Sequence, residues 1–445
     1  MTLAAAEQTR LLTDVVEQTL EEARRQGASS AEAGASTGQG LNATVRLGEV
    51  ETVEHTRDKS LAVTVYFGNR TGSASTSDLS AEALRETVGA ACTIARFTAQ
   101  DPCNGLADAD RMAWNAPDLD LHHPWALSVD EAIERARECE AAARGADPRI
   151  ENSEGATVAT QEGLQVYGNT HGFLGSVAST RHSLSCAVIG RSDGGMQRDY
   201  WYTAARRSGD LEPAEAVGRR AAQRAIRRLG ARQIPTCRVP VLYEAPVAAS
   251  LLGHFVAAIR GGNLYRGASF LVDALDTPVF APGVNITEQP HLPHGVGSAP
   301  FDNEGVATVP RELVADGVLK GYVLDSYSAR KLGLNTTGNA GGVHNLVIEP
   351  GSEDFEALVA RMDRGLLVTE LIGFGVNVVT GDYSRGASGF WVEDGAVAYP
   401  VEEITVAGSL RDIFRNLVAV GSDVDRRGNV QTGSLLIGDL TVAGA

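Results

Sequence analysis

The chain has 445 residues, 43% of them hydrophobic and 21% charged, enough for two or three domains with an ordinary globular core. Its formal net charge of −17 repels phosphate backbones and disfavours direct contact with nucleic acid outside a local basic patch. The 49 glycines favour turns and close backbone approaches over long helical bundles.

The first helix is expected from Glu7 to Gln26, where Leu11, Leu12, Val15, Val16 and Leu20 recur at helical spacing. Three strand-like runs follow: Leu41 to Leu47, Val50 to Glu54, and Leu61 to Phe67, the last ending at Gly68-Asn69. A second helix runs from Ser80 to about Phe97. Residues 101–124 are rich in Pro, Asp and Asn and read as a connection. Ser128-Val-Asp-Glu131 is a capping box that opens a helix to about Ala143. Strands then dominate from Ile150 to about Thr203, before a helix over 212–229. That helix begins with Glu212 and Glu215 and ends with Arg219, Arg220, Arg224, Arg227 and Arg228, which complements the helix dipole. The dipole accounts for this basic cluster better than nucleic-acid contact does.

Ala231 to Pro235 reads as a linker. Beyond Arg238, β-rich segments carry a helix around His254, one near 354–364 and one from Ser409. The His254 helix opens near Pro246 and closes at Gly261-Gly262. Helices and antiparallel-looking strands are segregated rather than alternating, so the expected class is α+β. The expected division is an N-terminal helix and antiparallel-sheet domain over 1–232, with a sub-boundary near 101–125, and a β-rich C-terminal domain over 233–445.

Five cysteines, Cys92, Cys103, Cys139, Cys186 and Cys237, form no Cys-x-x-Cys pair and suit a reduced, cytoplasmic chain. The first ten residues lack the pattern of a signal peptide, and no window has the continuous apolar length of a membrane helix. Gly34-Ala-Ser36-Thr-Gly38 and Gly190-Arg-Ser192-Asp-Gly194 match Gly-x-Ser-x-Gly, but Asp193-Gly194-Gly195 is a hairpin signal and the turn reading wins. His122-His123 and His291-Leu-Pro-His294 have no cysteine or carboxylate at ligand spacing and read as surface loops. No phosphate-binding glycine loop is present.

The most informative stretch is Pro246-Val-Ala-Ala-Ser-Leu-Leu-Gly-His254-Phe-Val-Ala-Ala-Ile-Arg-Gly-Gly262. With it come Tyr265-Arg266-Gly267, Phe301-Asp-Asn-Glu304-Gly305, Asp325-Ser-Tyr-Ser-Ala329-Arg330, Thr337-Gly338-Asn339 and Thr380-Gly-Asp382-Tyr383-Ser-Arg385-Gly-Ala-Ser-Gly-Phe390-Trp391. Taken in this order, the segments resemble the TldD/PmbA family of peptidase-like proteins, and more narrowly its PmbA (TldE) branch. The resemblance covers nearly the whole chain and is densest from Arg238 to Ala445. In the TldD branch the corresponding helix carries His-Glu-x-x-x-His, whose histidines bind a metal together with a downstream cysteine. Laid on this chain, the second histidine falls on His254, the first on Ala249 and the glutamate on Ser250. The segment Gly421 to Gly428, where the cysteine is expected, has none. A catalytic zinc generally takes three protein ligands and needs a nearby base for its water. The resemblance therefore implies no catalytic residue and no metal site in this chain, and a packed helical histidine at His254.

It also implies a TldD-type catalytic partner that carries the metal, zinc by the chemistry of its ligands. Small or unfolded polypeptides, such as antibacterial-peptide precursors and antitoxins, are the implied substrates. Candidates for peptide or subunit contact are His254, Tyr265, Arg266, Glu304, Asp325, Arg330, Gly338, Asn339, Asp382, Tyr383 and Arg385. Asp302, Glu304, Asp325 and Arg330 match positions shared by both branches, which suggests structural roles. The glycine-rich loops at 338–342 and 381–386 offer N–H groups to an extended peptide. The leading expectation is a helper subunit of a cytoplasmic metallopeptidase complex. The rivals are a homodimeric peptide-binding protein and a self-sufficient hydrolase that pairs His254 with His344 or with the His291/His294 loop. The family's older label, modulator of DNA gyrase, fits an indirect effect through proteolysis better than DNA contact by a chain of this charge.

Overall fold

The computed structural model describes residues 3–193 and 195–444, with side chains from residue 6 onward. Helix α1 (Leu3–Arg25) precedes three strands, β1 (Ser30–Arg46), β2 (Glu49–Phe67) and β3 (Arg70–Thr76). After α2 (Ala81–Phe97) and α3 (Val129–Arg144) come β4 (Ile150–Asn169), β5 (Leu174–Ser192), β6 (Gly195–Ala205) and α4 (Ala214–Arg227). The six strands form one antiparallel sheet in the order β3-β2-β1-β4-β5-β6. Two cores share this long sheet. Leu12, Val16 and Leu20 of α1 and Val88 and Ala91 of α2 cover one end, with Ala33, Val63 and Val166 beneath them. Ala136 and Cys139 of α3 and Val217 and Ala221 of α4 cover the other, over Ala43, Val158 and Val188. Gly218 lets α4 lie against α3, because a β-carbon there would collide with the Cys139 carbonyl.

The α+β class holds, and the Ser128–Glu131 capping box forms with both reciprocal bonds. Three strand expectations are corrected. β1 begins at Ser30, not Leu41, and β2 is continuous through the polar residues 55–60. Gly68-Asn69 is the turn of a hairpin whose returning strand, β3, was not foreseen. The missed half of β1, Ser-Ala-Glu-Ala-Gly-Ala-Ser-Thr-Gly-Gln, has little apolar bulk. It is a strand because β2 and β4 pair with it on both sides.

The C-terminal half contains β7 (Cys237–Tyr243), α5 (Ala245–Ile259), α6 (Gly261–Leu264), β8 (Ile286–Glu288), β9 (Arg311–Ala315), β10 (Val318–Leu319), α7 (Ser326–Leu332) and β11 (Leu346–Ile348). It continues with α8 (Phe355–Met362), β12 (Gly365–Ile372), β13 (Val376–Asn377), β14 (Asp382–Glu393), β15 (Ala396–Ser409), α9 (Leu410–Arg415), β16 (Leu417–Val420), β17 (Val430–Gln431) and β18 (Leu435–Ala443). Strands β12-β7-β18-β15-β14 pair in sequence, and β14 pairs back onto β12, closing a barrel. A smaller sheet, β10-β9-β8-β11-β17, lies beside it. Leu251, Leu252, Phe255 and Ile259 of α5 share the core with the barrel residues Val241, Val368 and Val406.

The basic end of α4 does more than complement a dipole. Arg224 and Arg227 reach Glu244 at 3.0 and 3.4 Å, and Arg228 reaches Glu370 at 2.6 Å, so the cluster clamps the sheet half to the barrel half. The stretch expected as a linker, 231–235, is pinned as well. Arg232 donates its N–H to the Pro400 carbonyl at 3.2 Å and lays its guanidinium over Tyr399 at 3.4 Å.

Candidate functional site

Helix α5 starts where β7 leaves the barrel, so its first turns lie at the barrel's mouth. The Ala245 N–H donates to Ser434 Oγ at 3.1 Å, and Ser434 Oγ donates to Asp423 Oδ2 at 2.7 Å. This chain of bonds draws the 421–428 segment to the start of α5, where the resemblance placed a metal-binding cysteine. Here the segment offers Asp423, held by Ser434, and Asp425, held by Arg427 at 2.7 Å.

His254 is half-buried, and its ring meets Tyr383 edge-on at 6.1 Å between centroids. Burial, with the nearby Arg385 charge adding to it, lowers its pKa and keeps the imidazole neutral. The Tyr243 hydroxyl is pushed well above its ordinary range, by burial first and by Tyr383 next; burial also raises Tyr383. The two phenols influence each other's titration without reaching hydrogen-bond geometry. Ser250 donates its hydroxyl to the Val247 carbonyl at 2.8 Å, and Ala249 offers only a methyl. The donors around His254 are thus one imidazole and several hydroxyls next to a guanidinium. That set does not fit a metal ion, which takes several anionic or imidazole ligands away from fixed positive charge.

A cavity of about 280 Å³ opens over the first turns of α5. It is walled by Trp201 and Tyr202 of β6, Ser250 of α5, Thr369 and Glu370 of β12, and Arg385 of β14. Both halves of the chain therefore contribute to it.

The remaining sequence candidates fall into three places. Arg385, Tyr383 and His254 are together at the barrel mouth, and Asp382 is exposed close by, accepting from Thr380 Oγ1 at 2.6 Å. Tyr265 stacks edge-on with Tyr327 at 5.8 Å, and Arg266 is exposed over the Tyr265 ring. The third group lies inside the fold. Asp325 caps α7 by accepting the Ser328 N–H at 2.7 Å. Arg330 donates to the carbonyls of Cys103 and Gly105 at 3.2 and 3.1 Å and of Leu106, pinning the 101–108 connection. Gly338 has φ +70 and lies against the Ala307 carbonyl. Asn339 is buried and bridges Glu288 and Arg311, each at 2.7 Å. Burial pushes Glu288 up, but His344 and Arg311 outweigh it and hold the carboxyl low. In the glycine-rich loops, the Ala340 N–H goes to Asp302, Gly342 N–H to Asn339 O, and Gly381 N–H to Asn377 O.

Glu304 and Asp302 sit at the junction of the halves. Burial pushes Asp302 up to about 6 against three backbone N–H donors. Burial also pushes Glu304 up to about 7, helped by Asp302 and Glu32. Glu32 itself accepts the phenols of Tyr66 and Tyr167 at 2.9 and 2.8 Å.

The histidines weighed as companions of His254 have partners of their own. His344 bonds Glu288 and His291 bonds Thr308, while the ring beside His254 is Tyr383. The sequence reading that found no carboxylate near the histidine pairs is corrected. His122 meets Glu162 at 2.6 Å, and Asp120 bridges His123 at 3.3 Å and His294 at 2.5 Å. The ligand-capable atoms of Asp120, His123 and His294 lie within 4.8 Å of one another. Asp120 and His294 are 174 positions apart, so no local signal announced the trio. Ser36 lies mid-strand, bonded to Ser60 at 2.9 Å, and Ser192 ends β5 opposite Gly195. Neither is on a nucleophile elbow; Gly194 lies outside the described residues, as do Met1, Thr2 and Ala445. Among the described residues, no helix is long and apolar enough to cross a membrane.

An α+β chain with a closed barrel and this helix at its mouth matches a known class. The PmbA/TldA metallopeptidase family models match domain 1 over residues 31–95, the central domain over 122–229 and the C-terminal domain over 236–444. The metalloprotease PmbA of Escherichia coli O157:H7 is 48% identical over 437 residues, covering 98% of this chain and 97% of that one. The crystal structure of a putative modulator of DNA gyrase from Bacteroides thetaiotaomicron superposes with a TM-score of 0.93 at 29% identity, over 97% of this chain and 99% of that one. TldE from Thermococcus kodakarensis shares the fold, with a TM-score of 0.84 at 21% identity over 96% and 99% of the two chains. The chain belongs to the PmbA/TldD metallopeptidase family.

Proposed function

We propose that this chain is the PmbA/TldE-like, non-catalytic subunit of a cytoplasmic TldD/TldE-type metallopeptidase. A TldD-type partner carries the metal, and this chain helps to enclose small or unfolded polypeptides and to hold them extended. The observation that carries the reading is the neighbourhood of His254: Ala249 and Ser250 stand where a ligand and a base are needed, and the Arg385 guanidinium is close by. A serine whose hydroxyl is bonded to Val247 cannot accept a proton from water as a carboxylate does. The E. coli relative bears the name of a metalloprotease. Assigning the cutting step to the partner rests on this chain's own residues. The net charge of −17 keeps nucleic acid out of the reading.

The test is peptidase activity on an unfolded polypeptide, with this chain alone and then mixed with a TldD-type chain from the same organism. Activity in the mixture alone, lost with a chelator and kept when His254 is replaced by alanine in this chain, is the expected result. Chelator-sensitive activity from this chain alone overturns the proposal.

A further inference from the structure

Six buried side-chain polar atoms lack a hydrogen-bond partner among the described residues, and five belong to the barrel mouth: Tyr243 Oη, His254 Nε2, Thr369 Oγ1, Tyr383 Oη and Arg385 Nε. Folded proteins leave few such atoms, and scattered ones. Two of these residues, Thr369 and Arg385, also line the cavity over α5. The Thr369 hydroxyl is itself covered, whereas Arg385 is only partly buried.

The charges of that cavity decide what it accepts. Asp199 pairs with Arg224 at 3.2 Å, Glu370 with Arg228 at 2.6 Å, and Arg427 with Asp425 at 2.7 Å. Arg385 has no carboxylate of its own among the described residues. The cavity therefore presents one uncompensated positive charge. A dianion would bring a second negative charge toward Asp199 and Glu370, so a single carboxylate is the better match. The size agrees. A water takes up about 30 Å³ of liquid, so about 280 Å³ holds the end of a chain rather than a folded segment. Tyr200 and Tyr202, on one face of β6 with their rings stacked at 6.4 Å between centroids, supply an aromatic wall for the side chain next to that carboxylate.

We propose that the cavity binds a carboxylate of a peptide, with Arg385 as its donor. This deepens the peptide-holding reading above and rests on it. The position that carries the catalytic glutamate in the TldD branch is Ser250 here, on the floor of the same cavity. A site for a cation and its base has become, in this chain, a site for an anion. The carboxylate comes either from a chain terminus or from an acidic side chain, and both have the same chemistry.

Three fluorescent, unstructured peptides separate the sources when their binding to the full chain is followed by anisotropy. One has a free C-terminus and no acidic residue, one is its C-terminal amide, and one is the amide with a single internal glutamate. Losing one charge-assisted, bidentate contact is expected to weaken the amide about tenfold. Recovery by the glutamate peptide identifies a side-chain carboxylate as sufficient; no recovery restricts the site to chain ends. In Arg385→Gln the free and amidated peptides bind alike. Arg385→Lys, which keeps the charge but loses the planar fork, narrows their difference and serves if Arg385→Gln does not fold. Equal binding of free and amidated peptides to the unaltered chain overturns the proposal, as does a preference that survives Arg385→Gln, or no binding of any peptide. A mixture with the partner that cuts peptides while amidation changes nothing leaves the helper-subunit reading standing and removes only this one.

Discussion

Replacing Glu304 by glutamine is expected to stabilise the protein above neutral pH and to flatten its pH dependence. The carboxyl keeps a little surface but is otherwise surrounded by protein, and it accepts the Ser326 N–H at 3.0 Å. Burial, reinforced by Asp302 and Glu32, pushes it from an ordinary 4.5 up to about 7. Between those values the folded chain holds a proton that the unfolded chain has released. Stability is therefore full below about 4.5 and falls as pH rises toward 7. The whole span is worth roughly 3 kcal/mol at about 1.4 kcal/mol per tenfold. Residual solvent contact places the effect nearer 2 kcal/mol. Glutamine keeps an acceptor for Ser326 and never ionises. Chemical unfolding at pH 5, 6, 7 and 8 measures both chains. The unaltered protein should lose about 2 kcal/mol more than the variant across that range. Asp302 leaves the variant a smaller slope of the same sign, being itself pushed up to about 6. Carboxylates held low by partners, such as Asp101 and Asp147 at about 2, titrate below the window and do not mask it. Parallel slopes for the two proteins would refute the account of Glu304.

Two further outcomes follow from packing and hydrogen bonding. Arg330→Ala frees the carbonyls of Cys103, Gly105 and Leu106, so cleavage by added protease within 101–108 should become faster, at a stability cost of about 2 kcal/mol. Unchanged cleavage would mean that other contacts hold that segment. Gly389→Ala places a β-carbon against the Leu367 carbonyl where β14 closes onto β12, and should cost over ~3 kcal/mol or abolish soluble expression. A soluble variant with an unchanged melting temperature would show that the closure tolerates a wider strand spacing.

The sequence announced what local chemistry controls. The Ser128 cap, the Ser409 cap and the amphipathic spacing of α1 each rest on contacts within a few residues. The position of His254 on a helix, with Ala249 and Ser250 one turn earlier, was legible for the same reason. What stayed hidden depends on distant pairing. The first half of β1 has no apolar pattern, and its state comes from pairing with β2 and with the distant β4, where Glu32 lies opposite Asn169. The same distance effect hid the cavity, whose walls come from β6, α5, β12 and β14. It also hid the clamp from α4 to Glu244 and Glu370. Arg385 was legible as a candidate, but its lack of a counter-charge appears only when every neighbouring ion pair has been located.

That lack of a counter-charge bears on whether the site is simply worn away or built for something else. If it were only missing ligands, Ala249→His with Ser250→Glu would go far toward repairing it, by completing His-Glu-x-x-x-His on α5. Two features oppose this. The 421–428 segment offers no thiol, and its carboxylates are already committed, Asp423 to Ser434 and Asp425 to Arg427. A divalent ion near His254 would also face Arg385; for an assumed separation of about 5 Å and an effective dielectric near 20, that repulsion is roughly 7 kcal/mol. Such a penalty outweighs what one added imidazole contributes. The double variant is therefore expected to bind zinc no more tightly than the unaltered chain in competition with a chelating dye, and to show no peptidase activity alone. Adding Arg385→Gln should raise zinc affinity more than either α5 substitution does. Stoichiometric zinc and chelator-sensitive cleavage by the double variant alone would mean that Arg385 does not set the sign of this site, and the carboxylate reading would fall with it.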